Sequence, residues 1–171
     1  MTAANKTTTK AITNATTTAT PSRPATVDMS LVPARELAQF NIKAGWIDPR
    51  GWDVMAENGE SIGVVSRLML EPVVHDIRYL EVALRGTPAE SRTLVPVGLV
   101  TPDLSARTLK ASVPNAAVLI NGPKLTGDVI TADAEQVVLR AIAPEVTLTT
   151  GSKRYGHSIF DPKSLAAKPV S

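Results

Sequence analysis

The clearest pattern of apolar and polar positions lies between Trp52 and Leu84, where three strand-like runs follow one another. Trp52–Ala56 leads into Glu57-Asn58-Gly59-Glu60. Asn58-Gly59 is a strong hairpin signal, because a tight two-residue turn needs residues that accept positive φ. The second run begins at Ser61 and continues to Leu70. Its Gly63 marks a point where a strand bends or admits a neighbouring backbone. The third run, Asp76 to Leu84, alternates. Leu80, Val82 and Leu84 fall on one face and Tyr79, Glu81 and Ala83 on the other. Leu94–Val100 is a further apolar stretch of strand length. Arg85–Ser91, with Gly86 and Pro88, and Thr101–Arg107, with Pro102 and Asp103, read as polar turns.

The flanks are patterned differently. Residues 1–30 are rich in Thr, Ala, Asn and Lys, with Pro21 and Pro24 near the end. Such a segment cannot bury enough apolar surface to offset its ordering entropy, so a flexible arm is expected. A targeting peptide and an arm that orders on a partner are the alternatives. Residues 31–47 form a lead-in, either extended or making one or two helical turns from Pro33. Beyond Pro114, Ala116–Ile120 fits a strand or a short buried helix. Thr131–Ile142 predicts a helix near 132–142. Thr131 is its N-cap, Asp133 and Glu135 lie in its first turn, and Val137, Val138 and Ile142 recur at helical spacing before Pro144 stops it. Glu145–Thr149 alternates as a strand, and Tyr155–Phe160 predicts another.

Composition narrows the chemistry. The chain is 43% hydrophobic but only 4% aromatic, so its core is built from Val, Leu, Ile and Ala. It has no cysteine, which excludes disulfides, thiol catalysis and Cys-based metal sites. The net charge is +2. Before Asp28 there are three bases, Lys6, Lys10 and Arg23, and no acid; the other 15 bases face 16 acids. The basicity belongs to the arm, and a neutral folded part lacks the footprint of a nucleic-acid binder. No run approaches the ~18–20 apolar residues that cross a bilayer. His75 and His157 sit in no metal-ligand spacing, and there is no nucleophile elbow, P-loop or GxGxxG. Glu57 and Glu60 flank the hairpin and read as solvated turn residues. The residues give an enzyme reading little support.

Three segments carry a resemblance to a known family. They are DPRGWDV (48–54), ENGESIGVVSRLML (57–70), and IRYLEVAL (77–84) followed by LVPVGLV (94–100). The second is similar to a D/E-G-x-x-x-G-x-V-x-D-L hairpin, and the third to two further strands. Together they resemble the PRC-barrel, and within that family the cytoplasmic domain of the photosynthetic reaction-centre H subunit, across residues 42–113. The resemblance implies a mainly β fold: a small PRC-type β-barrel over 48–115, with an extension over 116–171 that holds a short helix and one or two strands. It also implies a non-catalytic component that caps the cytoplasmic quinone side of a reaction centre and stabilises its membrane-spanning subunits. No cofactor would be bound by this chain; bacteriochlorophyll and quinone would sit in the partner subunits. The expected partners are those subunits, with light-harvesting subunits or a second H-like chain, and no nucleic acid. H subunits usually carry a transmembrane helix, and its absence here implies peripheral membrane association.

The same resemblance nominates site residues. A doubly reduced quinone takes up two protons in a site sealed from bulk water, and His and carboxylate groups can relay them. Glu71, His75, Asp76, Arg78 and Glu81 are the proton-path candidates, with Arg78 and Glu81 matching the family's Arg-Tyr-Leu-Glu-Val run. The family often has an acid four residues before that arginine, where this chain has Val74. An acidic cluster after the Val146-Thr147-Leu148 run is also missing. A solvated loop is the plain alternative for the polar cluster. Trp46, Trp52 and Tyr79 are the interface candidates, with core packing the alternative for Trp52. A soluble PRC-barrel module acting as a ribosome-maturation-type adaptor is the rival function. The neutral charge of the folded part weighs against it.

Overall fold

The computed structural model describes residues 31–36, 41–88, 91–128 and 130–166. The arm read at 1–30 lies outside the described residues.

The Asn58-Gly59 signal does what its chemistry requires. Gly59 has φ 85°, Glu60 N–H donates to Asn58 Oδ1 at 3.0 Å, and Ala56 N–H donates to the Glu60 carbonyl at 2.8 Å. This turn joins β2 (Asp53–Met55) to β3 (Ser61–Leu70), which pair antiparallel. Strand β3 then pairs along its length with β4 (Ile77–Leu84). At Gly63 the Ala83 carbonyl of β4 approaches so closely that a Cβ would collide with it. The lead-in is both of its expected forms in sequence, a short strand β1 (Val32–Pro33) on β3, then a 3-10 turn at Ala34–Glu36.

The apolar run 94–100 is not one strand. Strand β5 (Arg92–Pro96) pairs with β4 and ends at Pro96, which has no N–H to continue the ladder. A 3-10 turn (Val97–Leu99) follows, and the supposed turn region opens with β6 (Val100–Asp103). Asp103 Oδ1 accepts from Ser105 N–H and Ala106 N–H at 2.9 and 3.0 Å, which turns the chain into β7 (Thr108–Ala111). Strand β7 pairs with β6 and lies parallel to β2.

The resulting strand order is β5-β4-β3-β2-β7-β6. Laid flat, β5 and β6 would stand roughly 24 Å apart at the usual strand spacing. The Val97–Leu99 link can span only about 14 Å even when fully extended. The sheet must therefore curl until its two ends meet, and the fold is mainly β, a small barrel.

The two faces read from β4 enter two different cores. Leu80, Val82 and Leu84 pack inside the curled sheet with Trp52, Val54, Ile62, Leu68, Val95 and Leu109. Tyr79 and Leu94 face outward, yet they are buried beneath a second layer. That layer comprises α2 (Ala132–Ile142) and the segment holding Tyr155, Ile159 and Phe160. Between barrel and layer lies a single turn of helix, α1 (Ala117–Ile120). Glu60 Oε2 accepts from Ala116 N–H at 3.0 Å at the start of α1, so this residue is not merely a solvated turn residue. Lys124 Nζ closes the other end on the carbonyls of Leu119, Ile120 and Gly122.

Helix α2 starts as read, with Thr131 Oγ1 accepting from Ala134 N–H at 3.3 Å. It turns Glu135, Val138 and Leu139 inward and leaves Val137 47% exposed. The two strands expected after it are absent from the described residues. Leu148 N–H bonds to the Gln136 side chain at 3.0 Å instead of a ladder, so Glu145–Thr149 is irregular. Tyr155–Phe160 contains a 3-10 turn at Ser158–Phe160, where Phe160 N–H and Asp161 N–H donate to the His157 and Ser158 carbonyls, each at 3.0 Å, instead of to a neighbouring strand. This segment sits on the barrel link: Gly98 lies so close to the Ser158 and Ile159 backbone that no Cβ would fit, and Ser164 Oγ donates to the Val97 carbonyl at 2.7 Å.

Because Gly63 meets backbone, which cannot rotate away, Gly63→Ala should cost about 1–3 kcal/mol of folding stability. A fall in urea midpoint at unchanged m-value is the expected result.

Candidate functional site

Strand β3 hands over to β4 through Glu71–Asp76, a tightly closed connection. Glu71 N–H donates to the Asp76 carbonyl at 3.0 Å, and His75 N–H to the Glu71 carbonyl at 2.8 Å. His75 takes φ 59°, a left-handed conformation that is uncommon for residues other than glycine. The closure leaves Val73 and Val74 at the tip, 65% and 53% exposed.

Arg78 fixes this connection to the second layer. Its Nε and Nη2 donate to Glu71 Oε2 at 2.9 and 2.8 Å, and Nη2 lies 3.1 Å from Asp76 Oδ2. Its Nη1 donates to the Phe160 carbonyl at 3.3 Å, and the guanidinium stands 5.2 Å over the Tyr155 ring. Around it opens a cleft of about 540 Å³ whose walls include Trp46, Asp76, Arg78, Tyr155, His157 and Lys163. A smaller hollow lined by Ile42, Lys43, His75 and Ile77 adjoins it, sharing Trp46, Asp76 and Pro162. His157 Nδ1 accepts from Ile159 N–H at 3.3 Å, so the neutral ring carries its proton on Nε2.

Four of the five proton-path candidates, Glu71, His75, Asp76 and Arg78, are therefore brought together at one end of the barrel. Glu81 is not among them. It is buried midway along β4, where Arg67 is its cross-strand partner. Arg67 Nε donates to Glu81 Oε1 at 2.8 Å and Ser66 Oγ to the same oxygen at 2.7 Å. Arg92 Nη1 reaches Oε2 at 3.2 Å. Arg67 Nη2 lies 2.6 Å from Oε2 but off the axis of a hydrogen bond, so that contact is one of charge alone. Arg67 Nη1 continues to Asp128 at 2.6 Å. Burial works against the Arg67 charge, but hydrogen bonding to Glu81 and Asp128 outweighs it and holds the guanidinium above its usual range. The same contact with Arg67 holds the Asp128 carboxyl below its own.

Of the interface candidates, Trp46 is half-buried and lines the cleft. The other two are corrected. Trp52 is 7% exposed within the barrel core, and Tyr79 is wholly buried beneath the second layer. Strand alternation gave Tyr79 an outward face, but α2 and the Tyr155–Phe160 segment cover it.

One further polar centre escaped the sequence reading, which took Glu135 for a residue favouring the start of its helix. Glu135 is 0% exposed. Arg154 Nη2 donates to its Oε1 at 2.7 Å, and Tyr155 Oη lies 3.1 Å from each carboxylate oxygen. The Tyr79 hydroxyl and Arg154 Nε are buried beside it without hydrogen-bond partners. Burial pushes the Glu135 carboxyl up to about 7, against the pull of Arg154 and Tyr155. Burial and the nearby Glu135 charge raise both tyrosine hydroxyls well above their ordinary range. The signal was present in the spacing: Glu135 falls three and four residues before Val138 and Leu139, on the stripe that enters the core.

The curled sheet, its glycine hairpin and the parallel β2–β7 pairing are now defined, and residues 45–126 match the family model of the PRC-barrel domain. The chain carries a PRC-barrel domain. The match takes in β2 to β7 and α1, and ends before α2. The PRC-barrel thus supplies Arg78, Glu71 and Glu81, while Arg154, Tyr155 and Glu135 come from the covering layer outside it.

Two predictions follow from these charges. Glu81→Ala leaves two arginines beside an emptied site and should cost about 3–5 kcal/mol, whereas Asp48→Ala, which breaks the exposed Arg50 pair, should stay within about 1 kcal/mol. Urea titrations of the two variants measure the contrast. The second concerns pH. A glutamate ordinarily releases its proton near 4.5, and folded Glu135 keeps it to about 7. Between those values the folded state binds more protons than the unfolded one, so stability falls as pH rises and levels off above about 7. The contribution is on the order of 3 kcal/mol. Glu135→Gln, which is neutral throughout, should lose that slope in urea midpoints measured from pH 5 to 8. The lowered carboxyls of Asp48, Asp103 and Asp128 act below this window.

Proposed function

We propose that this PRC-barrel protein is a non-catalytic, H-subunit-like component of a photosynthetic reaction centre. In this reading it caps the cytoplasmic quinone side and stabilises the membrane-spanning subunits by burying their inner surface. It binds no cofactor itself; bacteriochlorophyll and quinone belong to the subunits it covers. The observation that carries the reading is the Val73-Val74 tip. Two β-branched side chains stand in solvent on a connection that Arg78 locks and whose His75 and Asp76 line the hollow with the half-buried Trp46 and Ile42. A rigid apolar projection on a connection so placed is what a protein partner covers at little entropic cost.

The surrounding charge supports a protein partner over lipid or nucleic acid. Asp76 and Asp161 offset Arg78 and Lys163 around the cleft, leaving no excess of either sign for a polyanion to follow. Burying both valines is worth about 3–4 kcal/mol at most, so the tip positions the interface and the flanking surface supplies the rest. The resemblance of segments 48–54, 57–70, 77–84 and 94–100 to the reaction-centre domain adds its weight. If protons pass along this surface, His75 and Asp76 at the hollow and His157 in the adjoining cleft are the groups that would carry them. Glu81 is enclosed in its own arginine network and would play no part.

The test is co-purification. Tagged full-length chain expressed in a photosynthetic bacterium should elute with bacteriochlorophyll after mild solubilisation of the membranes. Val73→Asp with Val74→Asp should cut that recovery at least tenfold, the equivalent of about 1.4 kcal/mol, with an unchanged urea midpoint because both side chains are exposed. Wild-type chain that ignores these membranes, or sediments with ribosomal particles, would overturn the reading.

A further inference from the structure

Glu135 joins two pieces of the covering layer that have no ladder between them. It comes from α2, while Arg154 and Tyr155 begin the segment that continues through Gly156, His157 and Ser158 as one wall of the cleft. Among the described residues, Arg154 makes one side-chain hydrogen bond, to Glu135. Its Nε is buried and unpartnered, and its guanidinium lies 5.6 Å from the Tyr155 ring. The position of Arg154 therefore depends on a carboxylate being opposite it. We propose that Glu135 is a proton-operated latch on the cleft: ionised, it holds Arg154 and Tyr155 and so fixes the wall, and protonated, it releases Arg154 and lets the wall shift.

The physical asymmetry lies in what each partner needs. A neutral carboxyl still hydrogen-bonds the Tyr155 hydroxyl, but it leaves the Arg154 charge buried and unbalanced. Arginine does not lose its proton at any relevant pH, so relief comes from movement toward the solvent of the adjoining cleft. The groups facing Glu135 are few. Strand β4 contributes the Tyr79 hydroxyl, and the wall contributes Arg154 and Tyr155. Glu71 and Arg78 of the barrel act at one remove, through Tyr155. On α2 itself, Asp133 and Arg140 lie outside the buried stripe. The midpoint to which burial and these partners bring Glu135, about 7, is where small changes of pH would work the latch. The inference holds whatever covers the cleft, and it fails or stands independently of the reaction-centre reading.

The experiment is a carbon-detected NMR titration of the Glu135 side-chain carboxyl in the full chain from pH 5 to 9, with the backbone amides of Tyr155, Gly156 and His157 followed in parallel. The carboxyl and the three amides should move together, with one midpoint near 7. Because His157 is the other titratable side chain in this wall, His157→Gln is the discriminating variant. The amide transition should persist there and vanish in Glu135→Gln, with Gly156 held at its acid-limit position. Arg154→Met, which removes the opposing charge, should raise the carboxyl midpoint, and it keeps the test decisive if Glu135→Gln does not fold. A carboxyl that titrates near 4.5, amides that stay still while it titrates, or a transition lost in His157→Gln would each overturn the latch.

Discussion

Strand β4 is buried on both of its faces, and most of what is distinctive in this molecule follows from that. Inside the curled sheet its Leu80, Val82 and Leu84 meet other strands; outside, its Tyr79 meets a helix and a 3-10 turn. A strand in that position has no solvent on which to unload polar side chains, so each one needs a partner with suitable geometry. Arg78 finds Glu71 and Asp76, and Glu81 finds Arg67, Arg92 and Ser66. The Tyr79 hydroxyl finds none. Two ion-pair networks and one unpartnered buried hydroxyl are thus consequences of covering the barrel, not separate features.

The covering layer is in turn a consequence of closure. Joining β5 to β6 through three residues bends the sheet until its ends meet, and the outer surface of β4 and β5 becomes convex and largely apolar at Tyr79 and Leu94. Helix α2 and the Ser158–Phe160 turn bury that surface. The turn is held by close backbone packing at Gly98 and by Arg78, whose guanidinium reaches the Phe160 carbonyl. Arg78 therefore has two tasks, locking the connection that carries Val73 and Val74 and pinning the layer that forms the cleft wall. The tip and the cleft share one rigid support.

How much of this was readable in the sequence depended on whether a feature was local. The Asn58-Gly59 turn, the faces of β4, the close approach at Gly63 and the Thr131 cap are each decided within a few residues, and each appears where the pattern put it. The break at Pro96 was also local, but the apolar composition of Leu94–Val100 concealed it. The C-terminal strands failed for a different reason. Alternation in Glu145–Thr149 is a necessary condition for a strand, not a sufficient one, since a strand also needs a neighbouring edge with free hydrogen-bonding groups. For the site, grouping by proximity in sequence gathered Glu71, His75, Asp76 and Arg78, which the fold also places at one end of the barrel. It added Glu81 wrongly, because three residues along a strand is about 10 Å and reaches a different set of neighbours. Nothing local distinguishes Trp52 in the core from Trp46 at the cleft, or tells that Tyr79 will be covered by residues some eighty positions later.

The division of labour between domain and extension bears on what sets this chain apart. The part matched as a PRC-barrel builds the scaffold and the two arginine networks, and those networks leave few uncommitted charges: the Arg78 donors reach Glu71, Asp76 and the Phe160 carbonyl, and Glu81 is enclosed. A surface whose charges are already spoken for binds by shape and apolar contact, which is the behaviour expected of a cap. Glu135, the buried carboxyl behind the cleft wall, lies in the extension. If the barrel decides where this protein sits, the extension holds the latch that can respond to its surroundings there, and Arg78, with Gly98 and Val97, is where one reaches the other.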